Sequence, residues 1–225
     1  LYAMDVTDAD STADPRLLWR IRGGTTSGFD DLGQTWSSPT LAQIKINGSP
    51  VPVLIFGGGY DPDSHDTAGQ TSSGDSFGNA IYMVNATNGK LIWSASDAGS
   101  NAGAAEHSTV SNMKWSIPSD VSAVDLDVDG FIDALYASDL GGQIFRVDLN
   151  MDNTGTGGLV HRVETVATLG YAESSGYSTH RRFHASVSAA LAIDSSGDSF
   201  LQLVIGSGYR AHPLEKNATQ DRIFM

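Results

Sequence analysis

The chain has 225 residues, with 26 acidic against 13 basic side chains and a formal net charge of −13. No cluster of Lys and Arg interrupts that balance, which argues against a nucleic-acid partner. Hydrophobic residues make up 40% and charged residues 17%, enough for a sizeable core, and the scattered glycines exclude a collagen-like rod. With no cysteine there is no disulfide, zinc-thiolate site or thiol chemistry. No stretch approaches the length of a membrane span, and the start at Leu1 carries neither a basic nor an apolar signal region, so any export signal is expected upstream.

In chain order, the first expected strand is Leu1-Tyr2-Ala3-Met4-Asp5. The same short pattern returns as Ile81-Tyr82-Met83-Val84-Asn85, Ile144-Phe145-Arg146-Val147-Asp148 and Ile223-Phe224-Met225. These copies lie roughly 60 to 80 residues apart, a long but workable period for a repeat of decorated β units. A second repeated strand precedes the later copies: Val51 to Gly57, Ile132 to Ser138 and Leu201 to Ser207. Each is followed by a polar or glycine turn and then by the Ile-aromatic strand, as consecutive antiparallel strands require. Trp36-Ser37-Ser38-Pro39 and Trp115-Ser116-Ile117-Pro118 open two of the units alike.

Asn88-Gly89 marks a tight hairpin turn into Lys90-Leu91-Ile92-Trp93, and the first unit runs on similarly to Leu17-Leu18-Trp19. Trp19 and Trp93 read as packing residues between repeated units. No window shows apolar residues at helical spacing with a cap at each end. Asp61 to Asn79 and Ser96 to Lys114 are rich in Ser, Gly, Asp, Thr and Ala and read as long, mobile surface loops. The fold class is therefore all-β, a partial β-propeller. Residues 1–225 form part of a single propeller domain: 1–35 end one blade, 36–114 form a blade with long loops, 115–182 a metal-binding blade, and 183–225 begin another.

Between two of these strands runs Asp125-Leu126-Asp127-Val128-Asp129-Gly130-Phe131-Ile132-Asp133. Asp125, Asp127, Asp129 and Asp133 hold positions one, three, five and nine, with Gly130 at six, an EF-hand-like spacing. Odd-numbered side chains of such a coiled loop converge, Gly130 supplies the bend, and the Phe131 carbonyl at position seven can complete an all-oxygen shell, which suits Ca²⁺. A true EF-hand would have Glu where Tyr136 stands, and helices on both sides. The alternative is a polar turn whose carboxylates cap backbone N–H groups, but four uncompensated carboxylates so close would repel. The matching stretch Ile193 to Ser199 has two carboxylates, Asp194 and Asp198, and is not expected to bind calcium.

Other signals are weaker. Gly206-Ser207-Gly208-Tyr209-Arg210-Ala211 fits a dinucleotide fingerprint, but Pro213 prevents the helix that motif needs. His180 and His184 could pair on a metal only if helical, and they read as ordinary surface or turn residues. No catalytic elbow, zincin pair or P-loop is present, so no catalytic or organic-cofactor residues are assigned.

Taken together, the run from Asp125 through Ala134-Leu135-Tyr136-Ala137-Ser138-Asp139-Leu140-Gly141-Gly142-Gln143 to Asp148 resembles the C-terminal propeller domain of the PilY/PilC family of type IV pilus biogenesis factors and tip adhesins. Gly206 to Leu214 followed by Asp221-Arg222-Ile223-Phe224, Gly57-Gly58-Gly59-Tyr60-Asp61 and the Asn88 to Trp93 hairpin are similar too. The resemblance implies a modified, quinoprotein-like propeller of roughly seven blades, of which this chain supplies about three. It also implies a non-enzymatic, calcium-binding module with Asp125, Asp127, Asp129, the Phe131 carbonyl and Asp133 as ligands, regulating pilus extension and retraction, twitching motility and surface attachment. Its location would be the bacterial cell surface, at a pilus tip or outer membrane, reached through the periplasm. Its partners would be pilus components, other surface proteins and the remaining blades. Two other readings compete: a pyrroloquinoline-quinone dehydrogenase-like propeller, suggested by the Asn-Gly-Lys-Leu-Ile-Trp hairpin, and an FG-GAP-like extracellular binding propeller, which would repeat the calcium loop in several blades.

Overall fold

Both repeated strands of each unit become neighbours in one sheet. The structure, a computed structural model, describes residues 1–7, 14–66, 74–97, 106–150, 158–170, 180–214 and 219–225. Its first sheet pairs β1 (Tyr2–Asp5) with β2 (Arg16–Arg20). The second runs β3 (Thr40–Ile46), β4 (Ser49–Gly57), β5 (Ala80–Asn85), β6 (Leu91–Ser96) as an antiparallel meander, with β7 (Glu106–Thr109) added parallel to β6. The third is the meander β8 (Ser122–Val124), β9 (Ala134–Ser138), β10 (Gln143–Leu149), β11 (Val160–Thr168), and the fourth is β12 (Ser188–Ile193), β13 (Ser199–Gly206), β14 (Ile223–Phe224).

Turn chemistry fixes the registers. Asn47 and Gly48 take φ of 50° and 75°, the left-handed pair that a two-residue hairpin demands, so Ile46 faces Ser49. At Gly89 a side chain would strike Trp19, with a Cβ 2.7 Å from its ring. Trp19 also donates from Nε1 to the Ala86 carbonyl at 3.1 Å, so it bolts the first sheet onto the turn region of the second.

The sheets pack in chain order, each adjacent pair sharing a core. Trp19, Ile21, Phe29, Phe56, Tyr82 and Leu91 fill the space between the first and second. Ile55, Met83, Trp93, Leu135, Phe145 and Val147 lie between the second and third. Tyr136, Ile144, Phe183, Val187 and Ile205 join the third and fourth. A strand covered on both faces needs no polar face, which is why β5 and β9 are almost continuously buried. Backbone bonds also cross between sheets: Gly59 N–H donates to the Ile117 carbonyl at 3.0 Å and Phe183 N–H to the Asp139 carbonyl at 3.2 Å.

The segments that follow β4, β9 and β13 converge, with Tyr60, Trp115, Leu140 and Ala211 in one small cluster. Here the structure corrects the expectation of a mobile loop over Asp61 to Asn79. Residues 67–73 lie outside the described residues, but Pro62–His65 forms one helical turn, α1, capped by Asp61, and Asp61 and His65 are buried. Asp61 satisfies Asp63 N–H, Ser64 Oγ–H and Ser76 N–H. Asp75 takes His65 Nε2 and Ser116 N–H, each at 2.6 Å. A polar segment can be buried when its carboxylates satisfy its own backbone donors. In the second expected loop, residues 98–105 lie outside the described residues, while β7 is ordered strand; Glu106 accepts Leu159 and Val160 N–H.

Asp139, wholly buried behind this cluster, accepts from Gln143 N and Nε2, both at 2.8 Å. Burial outweighs these bonds and pushes its carboxyl up from 3.8 to about 8. The folded form thus keeps a proton that the unfolded chain releases near pH 4. The stability linked to that proton is fully present below about pH 4 and is lost as pH rises through about 8. We expect Asp139→Asn to flatten this fall, read as the urea midpoint across that pH range; an unchanged slope would contradict the assignment.

Candidate functional site

The loop between β8 and β9 is held shut at its base, where Asp133 N–H donates to the Val124 carbonyl at 2.8 Å. Within it the carboxylates act first on the backbone. Asp125 accepts Val128 N–H at 2.7 Å and Gly130 N–H at 2.9 Å, Asp127 accepts Asp129 N–H at 3.1 Å, and Asp129 accepts Phe131 N–H at 2.9 Å. Gly130 takes φ 91°, the bend expected of position six. Val128 also adopts positive φ, 63°, with its side chain 86% exposed. A β-branched residue is strained there by about 1–2 kcal/mol. Replacing it by Asn, which tolerates this conformation, is expected to raise stability by about 1 kcal/mol in chemical denaturation.

Asp125, Asp127 and Asp133 each bring a carboxylate oxygen within 4.8 Å of the others. Asp133 is the innermost, 8% exposed. Its Oδ2 accepts Leu126 N–H at 2.5 Å, while Oδ1 is buried without a hydrogen-bond partner among the described residues. Burial, then repulsion from Asp127 and Asp125, pushes the Asp133 carboxyl above its usual range. Three hard oxygen donors and an orphaned buried carboxylate oxygen fit a divalent cation of the calcium type.

Asp129 is placed differently from the other three. Its Oδ2 is bound by Lys45 Nζ at 2.8 Å, which holds its carboxyl below the ordinary value. Lys45 projects from β3 and lies 4.2 Å over the Phe131 ring. Ile132 N–H donates to the Gln43 carbonyl, also on β3, at 3.0 Å. The loop is therefore fastened to the second sheet as well as the third, by contacts between residues 84 or more positions apart that no local motif announces. In the fourth sheet, Asp194 accepts Ser196 and Asp198 N–H in a tight turn, and the described residues show no acidic cluster there.

His180 and His184 are not surface residues: His180 is 6% exposed, and both ring nitrogens of His184 are shut from solvent. The segment is not helical, so they do not form a helical pair. Gly206-Ser207-Gly208 ends β13 without a helix behind it.

No family model matches the chain. It is 28% identical over 152 residues to a type IV pilus biogenesis factor PilY1 homolog of Xylella fastidiosa, covering 67% of this chain and 9% of that protein. It is 30% identical over 149 residues to the type IV pilus biogenesis factor PilY1 of Pseudomonas aeruginosa, covering 66% of this chain and 10% of that one. The chain thus spans about a tenth of the length of these curated relatives. The crystal structure of the Pseudomonas aeruginosa PilY1 C-terminal domain superposes with a TM-score of 0.53 at 19% identity, covering 92% of this chain and 38% of that one, which shows a shared all-β fold. By sequence over about two-thirds of its length and by fold, the chain is similar to PilY1, and these likenesses support a fragment of the PilY1 family of type IV pilus biogenesis factors.

Proposed function

We propose that this chain is a calcium-responsive, non-catalytic segment of a type IV pilus assembly protein, acting at the bacterial surface through binding to pilus components. The observation that carries the reading is the convergence of Asp125, Asp127 and Asp133 around the orphaned Asp133 Oδ1 in a relative of PilY1. Those three would hold Ca²⁺, joined by the Phe131 carbonyl and by Asp129 once it exchanges Lys45 for the metal. A bound cation supplies positive charge at the centre of the carboxylates. The chain's own part is to keep Asp133 buried and to fasten the loop to two sheets through Lys45 and Ile132.

That double attachment is what makes the loop suitable for regulation. Drawing Asp129 away from Lys45 alters the contact between the second and third sheets, so metal occupancy reaches the packing between sheets as well as the loop. Face-to-face packing in chain order supports reading the four sheets as successive blades of a larger propeller of about seven, divided near residues 35, 114 and 182. On this reading the segment helps set pilus extension against retraction, and with it twitching motility and attachment. The test is Asp125→Ala in the intact protein, scoring surface pili and twitching. Loss of both, with loss of the calcium-binding heat, is expected; calcium binding and piliation equal to the parent would refute the reading.

A further inference from the structure

Where the strand ends converge, a second polar centre lies apart from the acidic loop, and it is built around a buried positive charge. Arg182 is 2% exposed, and its Nε and Nη2 have no hydrogen-bond partner among the described residues. These nitrogens share one edge of the planar guanidinium, the edge that receives two carboxylate oxygens side by side. The rest of the group is held in place. Its central carbon lies 3.9 Å from the Tyr209 ring centroid, and the Arg182 carbonyl accepts Gly208 N–H at 3.0 Å.

Two residues on, His184 has both ring nitrogens buried and unpartnered among the described residues, beside the rings of Trp36 and Tyr60 at 6.2 and 6.3 Å. Burial first, then His65, Arg182 and Arg210, hold its imidazole down at about 3. At neutral pH it is uncharged and has one N–H to donate. Alongside runs an open groove of about 290 Å³ lined by His184, Ser207, Tyr209 and Arg210.

A buried guanidinium costs several kcal/mol unless an anion faces it. Neither nearby acid meets its Nε–Nη2 edge: Asp66 accepts Tyr60 Oη–H at 2.7 Å, Asp75 uses Oδ2 for His65 and Ser116, and the buried Asp75 Oδ1, like Arg182 Nε and Nη2, has no hydrogen-bond partner among the described residues. One buried fixed charge and one neutral imidazole match a monoanion better than a phosphate dianion. We propose that Arg182 and His184 form a carboxylate-binding site opening on the groove along Gly206 to Arg210. The carboxylate comes either from an acidic side chain elsewhere in the longer protein or from a dissolved carboxylic acid. This site is independent of the calcium reading.

The test uses the intact protein in chloride buffer, with a density map around Arg182 before and after saturation with sodium acetate, and thermal melts in acetate against chloride at equal ionic strength. An Asp or Glu carboxylate on the Arg182 fork in both maps supports the proposal with an internal source. Arg182→Gln, or Arg182→Lys where the Gln variant does not fold, should then lower the folding constant about a hundredfold. Acetate on the fork only after saturation supports a dissolved source, provided acetate raises the melting midpoint and either variant weakens that response at least about tenfold. A fork without a carboxylate in both maps, or an acetate response unchanged in the variants, overturns the proposal.

Discussion

Calcium at about a hundred times its dissociation constant is expected to raise the thermal midpoint by about 5–10 °C. The size follows from linkage, because a ligand at that concentration adds about 2.7 kcal/mol to a fold that alone binds it, and a domain of this length gains about 2–4 °C per kcal/mol. Asp133→Asn should abolish the shift. It removes the innermost donor, whose Oδ1 has no hydrogen-bond partner among the described residues, yet leaves an amide oxygen that can still accept Leu126 N–H. Lys45→Ala should leave the shift in place and tighten binding, since Asp129 would no longer have to leave an ion pair. Because burial raises the Asp133 carboxyl, protons compete for the site and calcium affinity should fall as pH drops towards that raised value. Scanning calorimetry with Ca²⁺ and with Mg²⁺ reads all of this. A midpoint indifferent to calcium in the parent protein would remove the basis for a metal site.

Gly59→Ala is expected to cost about 3–5 kcal/mol, among the largest losses any single methyl can cause here. Gly59 takes φ 102°, and a Cβ on it would lie 2.2 Å from the Gln34 carbonyl oxygen. That oxygen cannot retreat, because Gln34 and Tyr60 exchange two backbone hydrogen bonds at 2.9 Å and Gly33 N–H is bound to the Gly58 carbonyl at 2.8 Å. Retreat on the other side would break the bond from Gly59 N–H to the Ile117 carbonyl, one of the links between sheets. Gly24→Ala is the control: φ is 63° there as well, but nothing lies within 4 Å of the added methyl, so only the conformational cost of about 1–2 kcal/mol remains. Equal urea midpoints for the two variants would show that the close approach at Gly59 does not limit stability.

The strands were legible where residues repeat and turns are explicit. The four Ile-aromatic copies are β1, β5, β10 and β14, and three of them pair with the preceding strand of their own unit. The acidic loop was legible as a strand connection, since its spacing and its glycine are local properties. The partner of Asp129 was not, because Lys45 reaches it only after two sheets have packed. β7 escaped because Glu-His-Ser-Thr carries no apolar period; tertiary bonds to Glu106 hold it. The burial of Asp61, His65 and Asp75 was hidden for a related reason: composition suggests a solvated loop, while the local carboxylates supply the acceptors that make burial affordable. The glycine run at 57–59 was the available signal, since a Cβ at Gly57, Gly58 or Gly59 would meet a backbone oxygen at 2.2, 2.5 or 2.2 Å.

The four tryptophans are distributed so that each can report on a different place in the molecule. Trp19 sits between the first and second sheets, Trp93 between the second and third, and Trp115 in the cluster where the strand ends meet. Trp36 is 41% exposed, stacked 4.1 Å from Tyr60 and close to His184. Emission from these indoles therefore carries positional information: versions of the protein retaining one tryptophan each would give an optical readout of one sheet interface, or of the groove beside Arg182, at a time.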